Sequence, residues 1–591
     1  MTGAQMLVRV LLAHGVTHVF CVPGESYLAV LDALADVKDR ITVISCRHEA
    51  GAANMAVAHG KLTGRPGICM VTRGPGATHA SVGVHTARQD SAPMILFVGQ
   101  VARGQKGREA FQEVDYAAAF GPLAKWAVEI DAADRVAELV GRAFAAAVQG
   151  RAGPVVIALP EDMLCEEAPL APVTPSARAT TSPSPGFVEA LEERMRAAER
   201  PLMILGGTGW TAPGLDALAA WAAEAGLPIA LSFRRKDLLD NDHPCYAGDL
   251  GLGPNPRLIE RVGACDLVVA LGARLGENPT QGYSLFTPAR TAEILVHIHP
   301  GAEELGRVWP ASLASVADTG EAARALCAIR LPKGRWEAWR SAARDEATAF
   351  GALVPVEGRV NLSEVFDHLN RALPPDAIVC NGAGNYAAWL HRFYRHRRFG
   401  TQLAPTSGAM GFGVPAAIAA KITAPGREVV AVAGDGCFLM SGQELATAVQ
   451  YKAGVIFLVV DNGSYGTIRM HQERDYPGRV MATDLANPDF VAYARAFGAW
   501  ATRVEDTAGF PGALRDARAV GGPALIHLKT DIQDIAPGRT LRSLAGPDSR
   551  GQAPAMGAIS DARGPGARRA GSSTAIREAD PAMATSKKRS V

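Results

Sequence analysis

Short apolar runs recur along the chain, separated by amphipathic stretches. Ile68–Val71, Met94–Val98 and Val155–Leu159 are such runs early on; Leu202–Leu205 and Leu267–Leu271 follow; Ile378–Cys380, Val429–Val432 and Val455–Val460 come later. Most end at Gly, Pro, Asn or Asp, which predicts buried strands closed by turns. Helical patterns fill the gaps. This strand–helix rhythm predicts an α/β fold of parallel sheets covered by helices on both faces. Ligands in such sheets collect at the carboxyl ends of the strands, so chemistry is expected in the loops after these runs.

Shifts in texture divide the 591 residues into three blocks, more than one hydrophobic core usually serves. The first spans residues 1–165. A Pro-, Ser- and Ala-rich stretch, 166–185, reads as a linker. The second block covers 186–331, followed by a charged helical connector over 333–349, and the third covers 354–540. The expected architecture is three consecutive doubly wound parallel-sheet domains plus a disordered C-terminal tail. The tail, 545–591, has no aromatic residue and is rich in Ala, Gly, Ser, Pro and Arg. Such a composition buries too little apolar surface to offset the entropy of ordering.

Composition narrows the function classes. The chain is 48% hydrophobic and 20% charged, with a net charge of +1. That balance predicts a globular protein without a nucleic-acid or membrane partner. The nine cysteines are scattered, no two closer than 20 residues, so no zinc spacing occurs and reduced thiols in the cytoplasm are expected. Arg9, His14 and His18 interrupt the opening segment, which does not read as a signal peptide, and no apolar run is long enough for a bilayer span.

The chemistry concentrates at two strand ends. Val429–Val432 runs into Gly434-Asp435-Gly436, and Val455–Val460 runs into Asp461-Asn462-Gly463, with a helical stretch between. The glycines permit close approach of backbone to phosphate, and Asp435 and Asn462 offer hard oxygens from neighbouring strand tips. Magnesium favours such ligands and completes its octahedron with phosphate oxygens and water. Either turn alone is an ordinary tight turn; both together, each after an apolar strand, are far more specific.

The segment from Gly434 to Asn462 resembles the motif of thiamine-diphosphate-dependent enzymes that opens with GDG and closes with NN. The resemblance implies thiamine diphosphate and Mg2+ as cofactors, with Asp435, Asn462 and the carbonyl of Ser464 as metal ligands. It places Gly434, Gly436 and Cys437 on the diphosphate, and assigns Gly384, Asn385 and Tyr386 to a second diphosphate loop. Met410, in Gly408-Ala409-Met410-Gly411, matches the apolar residue that bends the cofactor, with the Gly408 carbonyl accepting from its 4′-amino group. Glu49, in Arg47-His48-Glu49-Ala50-Gly51, matches the glutamate that hydrogen-bonds N1′ of the aminopyrimidine and promotes loss of the C2 proton. The loop Thr72-Arg73-Gly74-Pro75-Gly76 is also similar to the family. In these enzymes the glutamate of one subunit faces the metal of another, which implies a homodimer or homotetramer with shared sites.

Within the family the chain is most similar in texture to the acetolactate synthases, over roughly residues 3–535. Arg47–Ala53, Phe111–Asp115, Lys125-Trp126 and Gly408–Ala416 carry that likeness. It implies an enzyme of branched-chain amino acid biosynthesis that decarboxylates pyruvate and adds the product to a second 2-oxo acid, with Gln112 and Lys125 on the substrate channel. Four positions depart from the pattern. Asp461 replaces the first Asn of the closing pair, and Cys437 stands where Ser is common. Asn278 replaces an arginine that reads the acceptor carboxylate, an exchange that removes a bidentate donor. His471 stands where a tryptophan selects the acceptor. The run Gly206-Gly207-Thr208-Gly209 is compatible with FAD on the central domain. A 2-oxo acid decarboxylase and a glyoxylate-type carboligase remain alternatives, as does an inactive, cofactor-binding regulatory paralogue. Decarboxylases of the family carry paired histidines near the cofactor, and His48 is expected to lack such a partner.

Overall fold

A computed structural model describes residues 1–544. The expected disordered tail, 545–591, lies outside the described residues. Three six-stranded sheets follow one another along the chain, and every strand pair within them is parallel. Parallel strands covered on both faces need apolar side chains on both, which is why the central ones read as unbroken apolar runs.

In the first sheet the strands run, edge to edge, Thr42–Ser45, His18–Cys21, Gly67–Val71, Met94–Gln100, Pro154–Pro160 and Trp126–Glu129. The third sheet repeats the same order with Gln402–Leu403, Ile378–Asn381, Val429–Gly434, Val455–Asp461, Ala524–Lys529 and Trp500–Val504. Both sheets reverse direction of winding between their first and third strands. The central sheet runs Leu313–Val316, Leu295–His299, Leu267–Leu271, Pro201–Leu205, Ile229–Ser232 and Tyr246–Leu250, which is the Rossmann order with its reversal between first and fourth strands. Loops that leave adjacent strands to opposite sides open a crevice at each reversal.

The linker has no regular structure between Ala168 and Ser184, and Asp318 anchors it by accepting hydrogen bonds from the Thr181 amide and the Arg178 guanidinium. The expected connector helix forms over Glu337–Phe350. Among the described residues no helix is long and apolar enough to cross a membrane.

One helix ties the first sheet to the third. Glu49–Thr63 packs against both Pro75–Asp90 and Gly413–Thr423, within a core drawn from both blocks. Its Ala- and Gly-rich sequence permits this double packing: a Cβ at Gly83 would fall 2.4 Å from that of Ala53. The helix is thereby held rigidly, and Glu49 stands at its first turn.

Candidate active site

The reversal in the third sheet lies between Ile378–Asn381 and Val429–Gly434. The loops leaving these strands, together with the loop after Val455–Asp461, wall a single cavity of about 240 Å3. Gly384, Asn385 and Tyr386 line it from the first loop, and Gly434, Asp435, Gly436 and Cys437 from the second. Asn462 and Ser464 close the third side, with Gly408 and Met410 opposite. Every residue that the sequence assigns to diphosphate, metal or cofactor bending in this block therefore faces one space.

The glycines of the second loop have a packing role as well. A Cβ at Gly434 would lie 2.9 Å from the Tyr386 ring, and one at Gly436 would lie 2.5 Å from the Tyr465 ring. Tyr386 itself is buried; its hydroxyl accepts from the Gly382 amide at 3.0 Å and meets Cys437 Sγ at 3.3 Å. Burial and this thiol hold its phenol well above the ordinary range. Cys437 also accepts from the Gly411 amide at 3.3 Å, so its sulfur braces two loops from beneath. The amide of Asn385 is fully engaged, donating to the Ile535 carbonyl and accepting from Thr467.

Two buried acids sit side by side with opposite electrostatics. Asp461 is buried, yet His527 at 2.8 Å and Lys529 at 3.1 Å hold it well below the ordinary carboxylate range. Among the described residues no cationic side chain pairs with Asp435. Burial, joined by the charge of Asp461, pushes it above the ordinary range against hydrogen bonds from Asn487 and the Gly436 amide. A buried carboxylate without a cation is costly. Asp435, the Asn462 amide oxygen and the Ser464 carbonyl form the kind of hard-oxygen donor set that fits Mg2+.

The Asp at 461, where the family motif has Asn, thus has a local role: its carboxylate gathers His527, Lys529 and Asn487 beside Asp435. Asp461→Asn is expected to lower stability by about 1–3 kcal/mol near neutral pH, read by denaturant unfolding. The direction of the shift fixes the sign of the pH effect. A depressed carboxylate stabilises above its unfolded value and loses that contribution as pH falls through the folded one, so the mutant's deficit should shrink in acid.

Glu49 follows the first block's strand Thr42–Ser45. His48 caps its helix, its ring Nδ1 accepting from the Ala50 amide at 3.1 Å. The turn is anchored across the chain by Glu444, a buried residue with no local sequence signature. Its carboxylate accepts from the amides of Arg47 and His48 and from the Thr447 hydroxyl, and burial raises it above the ordinary range. Glu49 Oε2 meets His79 Nδ1 at 3.0 Å, and the His48 and His79 rings lie 4.7 Å apart. This corrects the expectation that His48 lacks a partner. The two histidines come from different strand ends, so their pairing shows only in the folded chain.

Gln112 packs on Gly74 of the loop that faces Glu49, and adopts φ 65°, a left-handed conformation that is uncommon for a non-glycine residue and recurs at functional sites. Lys125 is not brought to them on the same chain. Its ammonium donates to the Gln149 and Arg151 carbonyls, level with the amino ends of the strands, and burial lowers it to about 8. The five-residue strand Gly67–Val71 spans the distance to the opposite edge, roughly 16 Å at ~3.3 Å per residue.

His297 and His299 are buried and bonded to backbone carbonyls, and Arg395 and Arg397 pair with Asp242.

Comparison with known proteins agrees with this geometry. Residues 1–119 match the N-terminal TPP binding domain of thiamine pyrophosphate enzymes, 188–326 the central domain, and 382–528 the C-terminal TPP binding domain. The acetolactate synthase large subunit of Parasynechococcus marenigrum (strain WH8102) is 34% identical over 521 residues, covering 85% of this chain and 84% of its own. The acetolactate synthase isozyme 2 large subunit of Escherichia coli (strain K12) is 30% identical over 542 residues, 91% of this chain and 97% of that one. The acetolactate synthase of Bacillus subtilis (strain 168) is 29% identical over 547 residues, 90% and 94% respectively. Two sheets of matching order, a cavity at the reversal of one and a buried-helix glutamate on the other, and similarity along most of the chain converge: this protein belongs to the acetolactate synthase family of thiamine-diphosphate-dependent carboligases.

Proposed function

We propose that the protein decarboxylates pyruvate and adds the resulting two-carbon unit to the carbonyl of a second 2-oxo acid, in a site shared between two subunits. The observation that carries this reading is the one cavity that unites Tyr386, Met410, Asp435, Cys437, Asn462 and Ser464. When bound there, thiamine diphosphate supplies the carbon nucleophile and accepts the electron pair left by decarboxylation.

The protein's own residues would do the rest. Asp435, Asn462 and the Ser464 carbonyl hold Mg2+, which is the cation that Asp435 otherwise lacks. Gly384, Asn385, Gly434, Gly436 and Cys437 form the diphosphate wall, braced by Tyr386. Met410, half-buried in the cavity wall, would support the cofactor, and the Gly408 carbonyl would accept from its amino group. Glu49 would hydrogen-bond the pyrimidine nitrogen through one carboxyl oxygen, while Gln112 would line the approach for substrate.

Sharing between subunits is supported by two features. Glu49 is absent from the walls of the Asp435 cavity in its own chain. Large apolar side chains also lie exposed beside both halves: Phe111 at 74%, Met440 at 51% and Ile468 at 53%. Such surfaces beside functional loops call for a covering partner. On this reading residues 1–165 and 354–540 are the pyrimidine- and diphosphate-binding domains, 186–331 the central domain, and the assembly a dimer or tetramer in the cytoplasm.

The central sheet supports FAD as a second cofactor. A cavity of about 530 Å3 lies at its reversal, with Gly207, Arg235, Arg274 and Arg307 on the wall. Asn278, where the family pattern has an arginine, lines the same space. A second reading, release of a free aldehyde, is favoured by the His48–His79 pair beside Glu49.

Incubation with thiamine diphosphate, Mg2+ and a panel of 2-oxo acids tests the proposal. Acetolactate or its homologue from pyruvate is the expected product. Free aldehyde alone would favour the decarboxylase, and failure with every acid would sink the enzymatic reading.

A further inference from the structure

His79's side chain is 51% exposed and that of Glu49 14%, and a half-exposed pair of this kind adds little stability. Its consequence lies in the site. We propose that His79 is a positioning residue for Glu49, donating from Nδ1 to Oε2 and so reserving Oε1 for the cofactor's ring nitrogen. The inference rests on the role proposed for Glu49.

Three observations fix the geometry. First, Oε2 faces His79 Nδ1 at 3.0 Å, and a carboxyl oxygen that carries no hydrogen can only accept. His79 therefore carries its proton on Nδ1. Second, Oε1 points away from His79 toward Gly76, where a Cβ would lie 3.5 Å from it. Third, the two histidines have distinct duties. The Nδ1 of His48 accepts from the Ala50 amide, which places the proton of its neutral ring on Nε2 and makes protonation of Nδ1 break the helix cap. Its ring, 4.7 Å from that of His79 and tilted by 32°, also restricts rotation of the His79 ring. His48 thus acts as a fixed wall, and His79 as the donor.

A carboxylate free to rotate would exchange its two oxygens at the ring nitrogen. With Oε2 held, only Oε1 faces that nitrogen. Misplacement of a reacting group by about an ångström costs up to ~100-fold in rate, so loss of this hydrogen bond should be visible in catalysis without loss of fold.

The tautomer is measurable in the protein without cofactor. Neutral imidazole in water favours the proton on Nε2, whereas a partner on one nitrogen fixes the tautomer. In apo protein labelled with 15N-histidine, the His79 resonance, assigned by its loss in His79→Asn, should report an Nδ1-protonated neutral ring. It should revert to Nε2-protonated in Glu49→Ala. In protein loaded with thiamine diphosphate and Mg2+, exchange of the cofactor's C2 proton should slow by about ten- to hundredfold in His79→Leu. His79→Asn, whose amide nitrogen replaces Nδ1 as donor, should restore most of that rate, and cofactor affinity should change little in either. An Nε2-protonated ring in the wild type, or wild-type exchange in His79→Leu, would overturn the proposal. Normal exchange in Glu49→Ala would instead overturn the role given to Glu49 itself, so the two failures are distinct.

Discussion

Replacing Glu49 by Gln is expected to slow exchange of the cofactor's C2 proton, and turnover with it, by about 10²–10⁴-fold. Gln keeps the size and hydrogen-bonding reach of Glu but cannot hold a transferable proton. The effect should fall on rate and spare affinity, because Glu49 does not line the cavity that contains the metal and diphosphate residues. The fold should also survive: the helix Glu49–Thr63 is fixed by its packing on two neighbours and by the His48 cap, neither of which involves the Glu49 carboxylate. Single-turnover exchange read by NMR, alongside cofactor titration by fluorescence, separates the two quantities. An unchanged exchange rate would remove Glu49 from the mechanism.

Asp435→Asn should do the reverse. Loss of the carboxylate removes the charge that attracts Mg2+, and affinity for the metal–cofactor pair is expected to fall by at least ~100-fold, beyond the cost typical of losing a mere outer-shell partner. The apo protein should hardly notice. Burial already pushes Asp435 above the ordinary carboxylate range, so a neutral side chain relieves an unfavourable charge. Against this, Gly463 N and Asn487 Nδ2 lose an acceptor. These opposed effects should leave apo stability within about 1 kcal/mol of wild type. Calorimetric titration with thiamine diphosphate and Mg2+, and thermal unfolding of both apo proteins, read the two halves of the prediction. A large loss of apo stability would make Asp435 a structural residue instead.

The fold was legible where strands are buried on both faces. Met94–Gln100 and Val455–Asp461 announce themselves as apolar runs because helices cover both sides. Trp126–Glu129 and Leu313–Val316 are edge strands with partly exposed side chains, and no apolar run marks them. Gln402–Leu403 is only two residues long. The site divides along a similar line. Asp435 and Asn462 lie in short motifs at strand ends, and resemblance to a known motif, more than spacing, picks out Met410. Asn487, His527 and Lys529 act on the Asp435–Asp461 pair and Glu444 on the turn before Glu49, and nothing in their local sequence reports what they touch. His79 had one available signal: it lies a single turn beyond the Gly74 loop, already marked as part of the site. Lys125 shows the opposite failure, where local likeness to a motif says nothing about which end of the sheet the side chain occupies.

The central claim is that Glu49 of one subunit serves the Asp435 site of another. Mixing Glu49→Gln and Asp435→Asn subunits, with exchange through mild denaturant, tests it directly. In a twofold dimer with shared sites, each mixed dimer has one doubly defective site and one intact site. Random reassortment then restores about a quarter of wild-type activity from two inactive parents. If both residues served the same site within one chain, every site in the mixture would carry one defect, and the mixture would stay as inactive as its parents.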